Sequence, residues 1–251
     1  MKIPIQPMKL TLMITLAIAT FINNYAPVRT QPVRQISGNP PPPPTTGTPQ
    51  TPQRRGGTRP GDSKCPVSQI DPIAFMPKSG QFVLESPTFW FYIPFAPKDV
   101  DSISFVILNA EGEYIQPPKK IPLSGTPGFI SLGLPSTSPP LEIGKRYRWS
   151  FSIYCDRQNQ EDRISRDGIF QKIAPNFTTG TPGERITRYV ENGSWYDALN
   201  LLGELRRRES TNTALKADWD KLFASLDKLD PTFKFSAIAD RPIASCCSLE
   251  Q

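Results

Sequence analysis

Residues 88–95 read Thr-Phe-Trp-Phe-Tyr-Ile-Pro-Phe, a run with apolar residues in both parities. In an extended chain successive side chains point to opposite faces, so Phe89, Phe91 and Ile93 share one face while Trp90 and Tyr92 share the other. A strand that is apolar on both faces must be covered on both. A sheet core can take the first face. The second needs either another part of the chain or a ligand that uses the aromatic patch.

The flanking sequence supplies the sheet. From residue 81 to about 173, short apolar runs recur between Pro, Gly and Asn: QFVLE, TFWFYIPF, SISFVIL, EYIQ, GFISLGL, KRYRWSFSIYC and DGIFQKI. This spacing predicts an all-β domain, and runs this short and numerous suit a sandwich better than a barrel. Asn109-Ala110-Glu111-Gly112 predicts a hairpin turn ending in Gly. Within Arg146–Cys155 the parity is clean. Tyr147, Trp149, Phe151, Ile153 and Cys155 form a core face, and Arg146, Arg148, Ser150, Ser152 and Tyr154 form the opposite one. Leu141, Gly144 and Tyr147 stand at the spacing L-x-x-G-x-x-Y. This resembles the tyrosine corner of immunoglobulin-like and fibronectin type III domains, in which the Tyr hydroxyl bonds to backbone at a sheet corner. The antibody pattern of Tyr, one residue, then Cys is not met, because Cys155 follows Tyr147 by eight positions.

Helical patterning begins at Thr181. Thr181-Pro182-Gly183-Glu184 is a capping box with Pro at the first helical position, and Gly193 stops the helix. A second helix starts at Ser194, with Trp195, Ala198, Leu199, Leu202 and Leu205 on one face. A third starts near Thr213 and carries Leu215, Trp219, Leu222, Phe223, Leu226 and Leu229. Short helices are marginal alone, so all three are expected to pack together and against the sheet, which makes them the natural cover for Trp90 and Tyr92. Gly193, Trp195, Ala198 and Leu199 are similar to a tetratricopeptide helix pair, but no second copy follows, so the pattern is read as packing. Arg206-Arg207-Arg208 ends the second helix, where cations favour the helix dipole.

The ends differ from this middle. Lys2 and Lys9 precede the uncharged apolar run Leu10–Ile22, which has signal-peptide length. Cleavage after Ala19 or after Ala26 is left open. Residues 27–64, with Pro40–Pro44 and five Arg, are too poor in apolar residues to offset their ordering entropy and are read as a disordered tether. Of the formal charge of +6, the first 26 residues carry +2 and residues 27–64 carry +5, which leaves −1 for residues 65–251. The folded part is therefore near neutral, which argues against nucleic acid as its partner. The expected organisation is a signal peptide over 1–26, a linker over 27–64, a β-sandwich over 65–175, a helical subdomain over 176–230 and a tail over 231–251. The fold class is mainly β, an immunoglobulin-like antiparallel sandwich with a C-terminal helical bundle or hairpin. In an exported chain the four cysteines invite a disulfide, with Cys65 and Cys155 as the natural pair, while Cys246 and Cys247 stay open between pairing with each other, with another chain or with nothing.

Chemistry is constrained by one absence. The chain has no His, which removes the Ser-His-Asp triad, the Cys-His dyad and every His-containing metal site. No phosphate-binding, dinucleotide or calcium loop motif is present. The acidic pairs Glu111 with Glu113 and Glu161 with Asp162 are what a carboxylate hydrolase would have to use. Both fall in turn or loop sequence, where solvated carboxylates are the ordinary case.

The strings RRGGTRPGDSKC, SPTFWFYIP, LPSTSPPLEIGKRYRWSFSIYCD and NGSWYDALNLLGELRR resemble the exported cyanobacterial family catalogued as domain of unknown function 928. The resemblance runs from about Arg54 to Leu226. It implies an extracytoplasmic cyanobacterial protein with a signal peptide, and it implies no activity. The expectation is an exported, non-enzymatic binding or adapter protein of the cell envelope with an envelope protein or polymer as partner, no cofactor, and no membrane span once the signal is removed. The rival is a glycan-binding module with Trp90, Tyr92, Arg146 and Arg148 as its ligand surface.

Overall fold

The structure is a computed structural model that describes residues 64–66, 79–125, 127–175, 179–229, 231, 233–244 and 247. The signal-peptide reading of residues 1–26, the linker reading before residue 64 and the question of Cys246 lie outside the described residues. The elements are β1 (Ser79–Phe82), β2 (Thr88–Ile93), β3 (Ser102–Leu108), β4 (Tyr114–Gln116), β5 (Lys120–Ile121), β6 (Gly128–Gly133), β7 (Arg146–Tyr154), β8 (Arg163–Lys172), α1 (Pro182–Glu191), α2 (Trp195–Arg208) and α3 (Thr213–Leu229). The chain is mainly β, with two facing sheets in a sandwich-like arrangement and a C-terminal helical part.

One sheet has the order β1-β8-β7-β3-β4, with β5 also paired to β3, and the other is the antiparallel pair β2-β6. The departure from an antiparallel pattern is β1, which runs parallel to β8. It also ends at Phe82, earlier than the run QFVLE suggests. The backbone N–H of Val83 is taken by the Asp197 carboxylate of α2 at 2.7 Å, which draws the chain out of the ladder. The β3–β4 turn forms as expected: Gly112 adopts φ +85°, and the Asn109 side chain accepts from the Glu113 N–H at 2.7 Å.

The small sheet lies between the large sheet and the helices. Towards the large sheet, Phe91 stacks on Phe151 with ring centroids 4.1 Å apart, and Phe89 meets Phe105 at 4.9 Å and Phe170 at 5.2 Å. Towards the helices, Trp90 meets Trp219 of α3 edge-on at 6.1 Å, and Phe129 of β6 meets Trp219 and Phe223, each at 5.6 Å. One apolar core runs through all three layers. Three of its indole N–H groups have these partners: Trp90 donates to Asn200 Oδ1, Trp149 to Tyr196 Oη and Trp219 to the Ala239 carbonyl. That satisfies the polar end of those three buried rings.

Local sequence explains how the helices dock. Thr181 Oγ1 accepts from the Glu184 N–H, and Glu184 reaches back to the Thr181 N–H, which completes the capping box of α1. Asn212 caps α3 by accepting from the N–H groups of Ala214 and Leu215. At α2, Ser194 precedes Asp197 in the positions of a second such box, yet Ser194 makes no side-chain cap bond. Its potential partner is turned to the strand connection instead. Beyond α3 the chain returns to β6: the Phe129 N–H donates to the Pro242 carbonyl and the Ala244 N–H to the Phe129 carbonyl, both at 2.8 Å.

Gly203 of α2 is fixed by sterics. A Cβ placed there would collide with the six-membered ring of the Trp90 indole, so only Gly lets α2 lie against β2 at this depth. Overpacking of this kind costs about 1–3 kcal/mol, whereas Gly to Ala in a helix interior recovers at most about 1 kcal/mol. Gly203→Ala should therefore lower stability by about 1 kcal/mol or more in urea unfolding, and a gain in stability would show that α2 can shift freely on β2.

Candidate functional site

The outward row of β7 is Arg146, Arg148, Ser150, Ser152 and Tyr154, and its register places neighbours from three other strands beside it. Leu108 of β3 and Ile169 of β8 flank Arg148, and Tyr114 of β4 pairs with Leu108. A row Tyr114–Leu108–Arg148–Ile169 thus crosses the sheet, with Arg146 and Gln171 beside it. Arg146 and Arg148 are exposed and Leu108 and Ile169 half-buried. Tyr114 and Ile143 are the exposed large hydrophobic residues among the described ones, at 59% and 60%. Ile143 lies in the loop that leads into β7 at the same end of the sheet. The Arg148 side chain makes no hydrogen bond or ion pair among the described residues.

The tyrosine corner positions this end. Tyr147 Oη accepts from the Glu142 N–H at 2.9 Å, Gly144 adopts φ +82°, and the Gly144 N–H donates to the Lys172 carbonyl at 2.7 Å. The buried Lys172 ammonium donates to the Leu141 carbonyl at 2.8 Å. The loop carrying Ile143 is thereby held against β8, and Arg146 leaves it with a set direction.

The opposite end of β7 holds the N-terminal side of the fold. Cys65 and Cys155 form a disulfide with their Cα atoms 4.9 Å apart, as expected from sequence. Lys64 adds two contacts: its N–H donates to Asp162 at 2.6 Å, and its ammonium pairs with Asp156 at 2.8 Å. The hydrogen bond from Lys64 holds the Asp156 carboxyl below its usual value. Closing a loop of 90 residues is worth about 4–5 kcal/mol in the chain-entropy view. Cys247 is also oxidised.

Two of the residues expected on a ligand surface are elsewhere. Trp90 and Tyr92 are 0% and 3% exposed, beneath the helices. The stacking platform built on them is corrected to a core seam. Arg207 explains part of this: it lies over the Trp90 ring at 5.1 Å, donates to Ser131 at 2.9 Å and pairs with Glu204 at 2.6 Å. Arg206 covers Trp219 in the same way at 5.1 Å. The arginines at the end of α2 are thus lids on two indoles, beyond the dipole role that their position suggested.

One member of each acidic pair is engaged by a separate partner. Glu113 accepts from Asn109 Nδ2 at 2.8 Å. Asp162, expected to be solvated in its loop, is 2% exposed and accepts the Lys64 N–H. Among the described residues no group of three or more Cys, Asp or Glu converges in a way that could hold a metal ion. The carboxyl that sequence reasoning missed is Asp197, buried at 2% exposure, where it accepts from the backbone N–H of Val83. Burial pushes its pKa up to about 7, against the opposing effect of hydrogen bonds from Val83 and Leu84 and the charge of Arg185. Burial likewise raises the phenol of Tyr196 next to it.

Two outcomes follow. Tyr147→Phe should cost about 1 kcal/mol in chemical unfolding, the usual scale for one buried hydrogen bond, and a change within error would remove the hydroxyl from the corner. For Asp197 the folded pKa lies above the unfolded value of about 3.9, so the folded chain holds the proton more tightly. Its contribution is full below about pH 4 and is lost as pH rises through about 7. Asp197→Asn keeps an oxygen acceptor and does not titrate. Relative to that variant, the native chain should lose roughly 1 kcal/mol per pH unit between pH 5 and 7, and parallel stability profiles would show that Asp197 is ionised throughout.

No curated protein and no solved structure matches the chain. Among the described residues, no helix is long and apolar enough to cross a membrane. A family match covers residues 54–242, three-quarters of the sequence. The chain belongs to the family described as Domain of Unknown Function (DUF928).

Proposed function

We propose that this is an exported, non-enzymatic binding or adapter protein of the cell envelope, and that its contact surface is the outer face of the six-stranded sheet around Arg146, Arg148 and Tyr114. The carrying observation is the exposed Arg148 within a row of apolar and aromatic neighbours, on the face that the helices leave uncovered. A solvent-facing row on an antiparallel sheet is ordinarily polar, and an aromatic residue beside arginine is the composition enriched at contact surfaces. Export rests on the apolar N-terminal segment and agrees with the Cys65–Cys155 disulfide, since such bonds persist in oxidising compartments.

Cross-linked capture from an envelope preparation tests this reading with three proteins: the full chain, a form lacking residues 27–64, and the full chain with R146E and R148E. The expected result is one defined component retained by the first two and lost by the third. Retention by the charge-reversed protein together with loss on deleting residues 27–64 would move the binding site to the tether and overturn the assignment to the sheet.

A further inference from the structure

The outer face carries enough chemistry to name a class of partner. We infer that the row Tyr114–Leu108–Arg148–Ile169, with Arg146 beside it, docks an acidic polysaccharide whose sugar rings bear carboxylates; this rests on the outer sheet face being the binding surface. Charge complementarity is the first argument. Arg148 is exposed and its side chain makes no ion pair or hydrogen bond among the described residues, so its planar guanidinium is available for paired hydrogen bonds to an external carboxylate. Nearby carboxylates do not occupy it. Glu113 is held by Asn109, and Asp167 lies one row along, opposite Ser150.

The second argument is spacing. Residues two apart on a strand stand about 7 Å from each other, and neighbouring strands are about 4.8 Å apart. Arg148 therefore presents its cation along β7 one row from Arg146, while the Tyr114 ring lies about 10 Å across the sheet from Arg148. A flat row with an aromatic ring at one end and cations at that distance matches a polymer that offers apolar ring faces and charged groups in repeat. Leu108 and Ile169 fill the interval with aliphatic surface, against which the C–H faces of sugar rings can lie.

The third argument separates a sugar polymer from an acidic peptide. Extended peptides are commonly captured by adding a strand to a free sheet edge. The edge next to Tyr114 is β4, three residues long and followed at once by Pro117 and Pro118. Proline has no N–H to offer a new strand, so this edge is blunted against such addition. At the Tyr114 end of the row, recognition is left to the face.

Biolayer interferometry on the full chain tests the inference with immobilised alginate, a uronic-acid polymer, alongside neutral dextran and poly-glutamate. Thermal midpoints equal to that of the native chain are the control that the variants R148Q and Y114A stay folded. Alginate should bind and dextran should not, and each variant should weaken alginate by about tenfold, which corresponds to about 1.4 kcal/mol. Poly-glutamate, which has no ring faces, should respond to R148Q and not to Y114A. Alginate affinity unchanged in R148Q would overturn the inference by placing the attraction in the arginines of residues 27–64. Equal loss of poly-glutamate binding in both variants would replace the sugar with an acidic protein partner and leave the outer face standing as the surface. Failure of all three probes would end the inference about polymer class, with the envelope capture still deciding the broader reading.

Discussion

Burial of β2 on both of its faces is the condition on which the other layers depend. Phe89 and Phe91 are the inner surface against which β3, β7 and β8 close, and Trp90 is the outer surface against which α2 and α3 close. Each large side chain buried in this way contributes about 1.5–3 kcal/mol, and both sets belong to one strand of six residues. The helices are therefore part of the core that makes a two-stranded sheet stable. A pair of strands alone is marginal in water, and here the pair is held from above and below.

Much of this was legible from periodicity. The strand β3 falls where its alternation places it, the parity of β7 divides core from surface as expected, and Thr181, Gly193 and Glu184 mark the bounds and cap of α1. These are local signals, set by side-chain direction and by backbone donors that must find partners. What could not be read depends on partners remote in sequence. The early end of β1 and the burial of Asp197 are two sides of one contact, between the Val83 N–H and a carboxyl group 114 residues later. Asp at the third position of a helix reads as an ordinary cap, and nothing local shows that it has turned away. Gly203 reads as a weak helical residue until the Trp90 ring is seen against it.

The candidate site divides in the same way. Arg146 and Arg148 were legible as outward residues because their parity opposes that of Trp149 and Phe151. Trp90 and Tyr92 stood equally outside the sheet core, but parity says only which face a residue takes and not what covers that face. The two expectations made for that face, a covering helix and an open platform, were competing, and the helices occupy it. Tyr114 gave a weaker signal. It stands at the start of a three-residue strand beside a turn, and its exposure follows from where β4 meets the end of β3.

The disulfide between Cys65 and Cys155 has a mechanical consequence. Tension on the chain N-terminal to Cys65 would pass through the sulfur bridge into Cys155, just past the end of β7, and so bypass the 89 intervening positions. Those residues include β1 to β7 in full. A pull from that side therefore cannot peel the strands one by one from their N-terminal edge. It is delivered to the middle of the large sheet, where β7 is bonded along its length on both sides, at the end of the strand farthest from Tyr114 and Ile143.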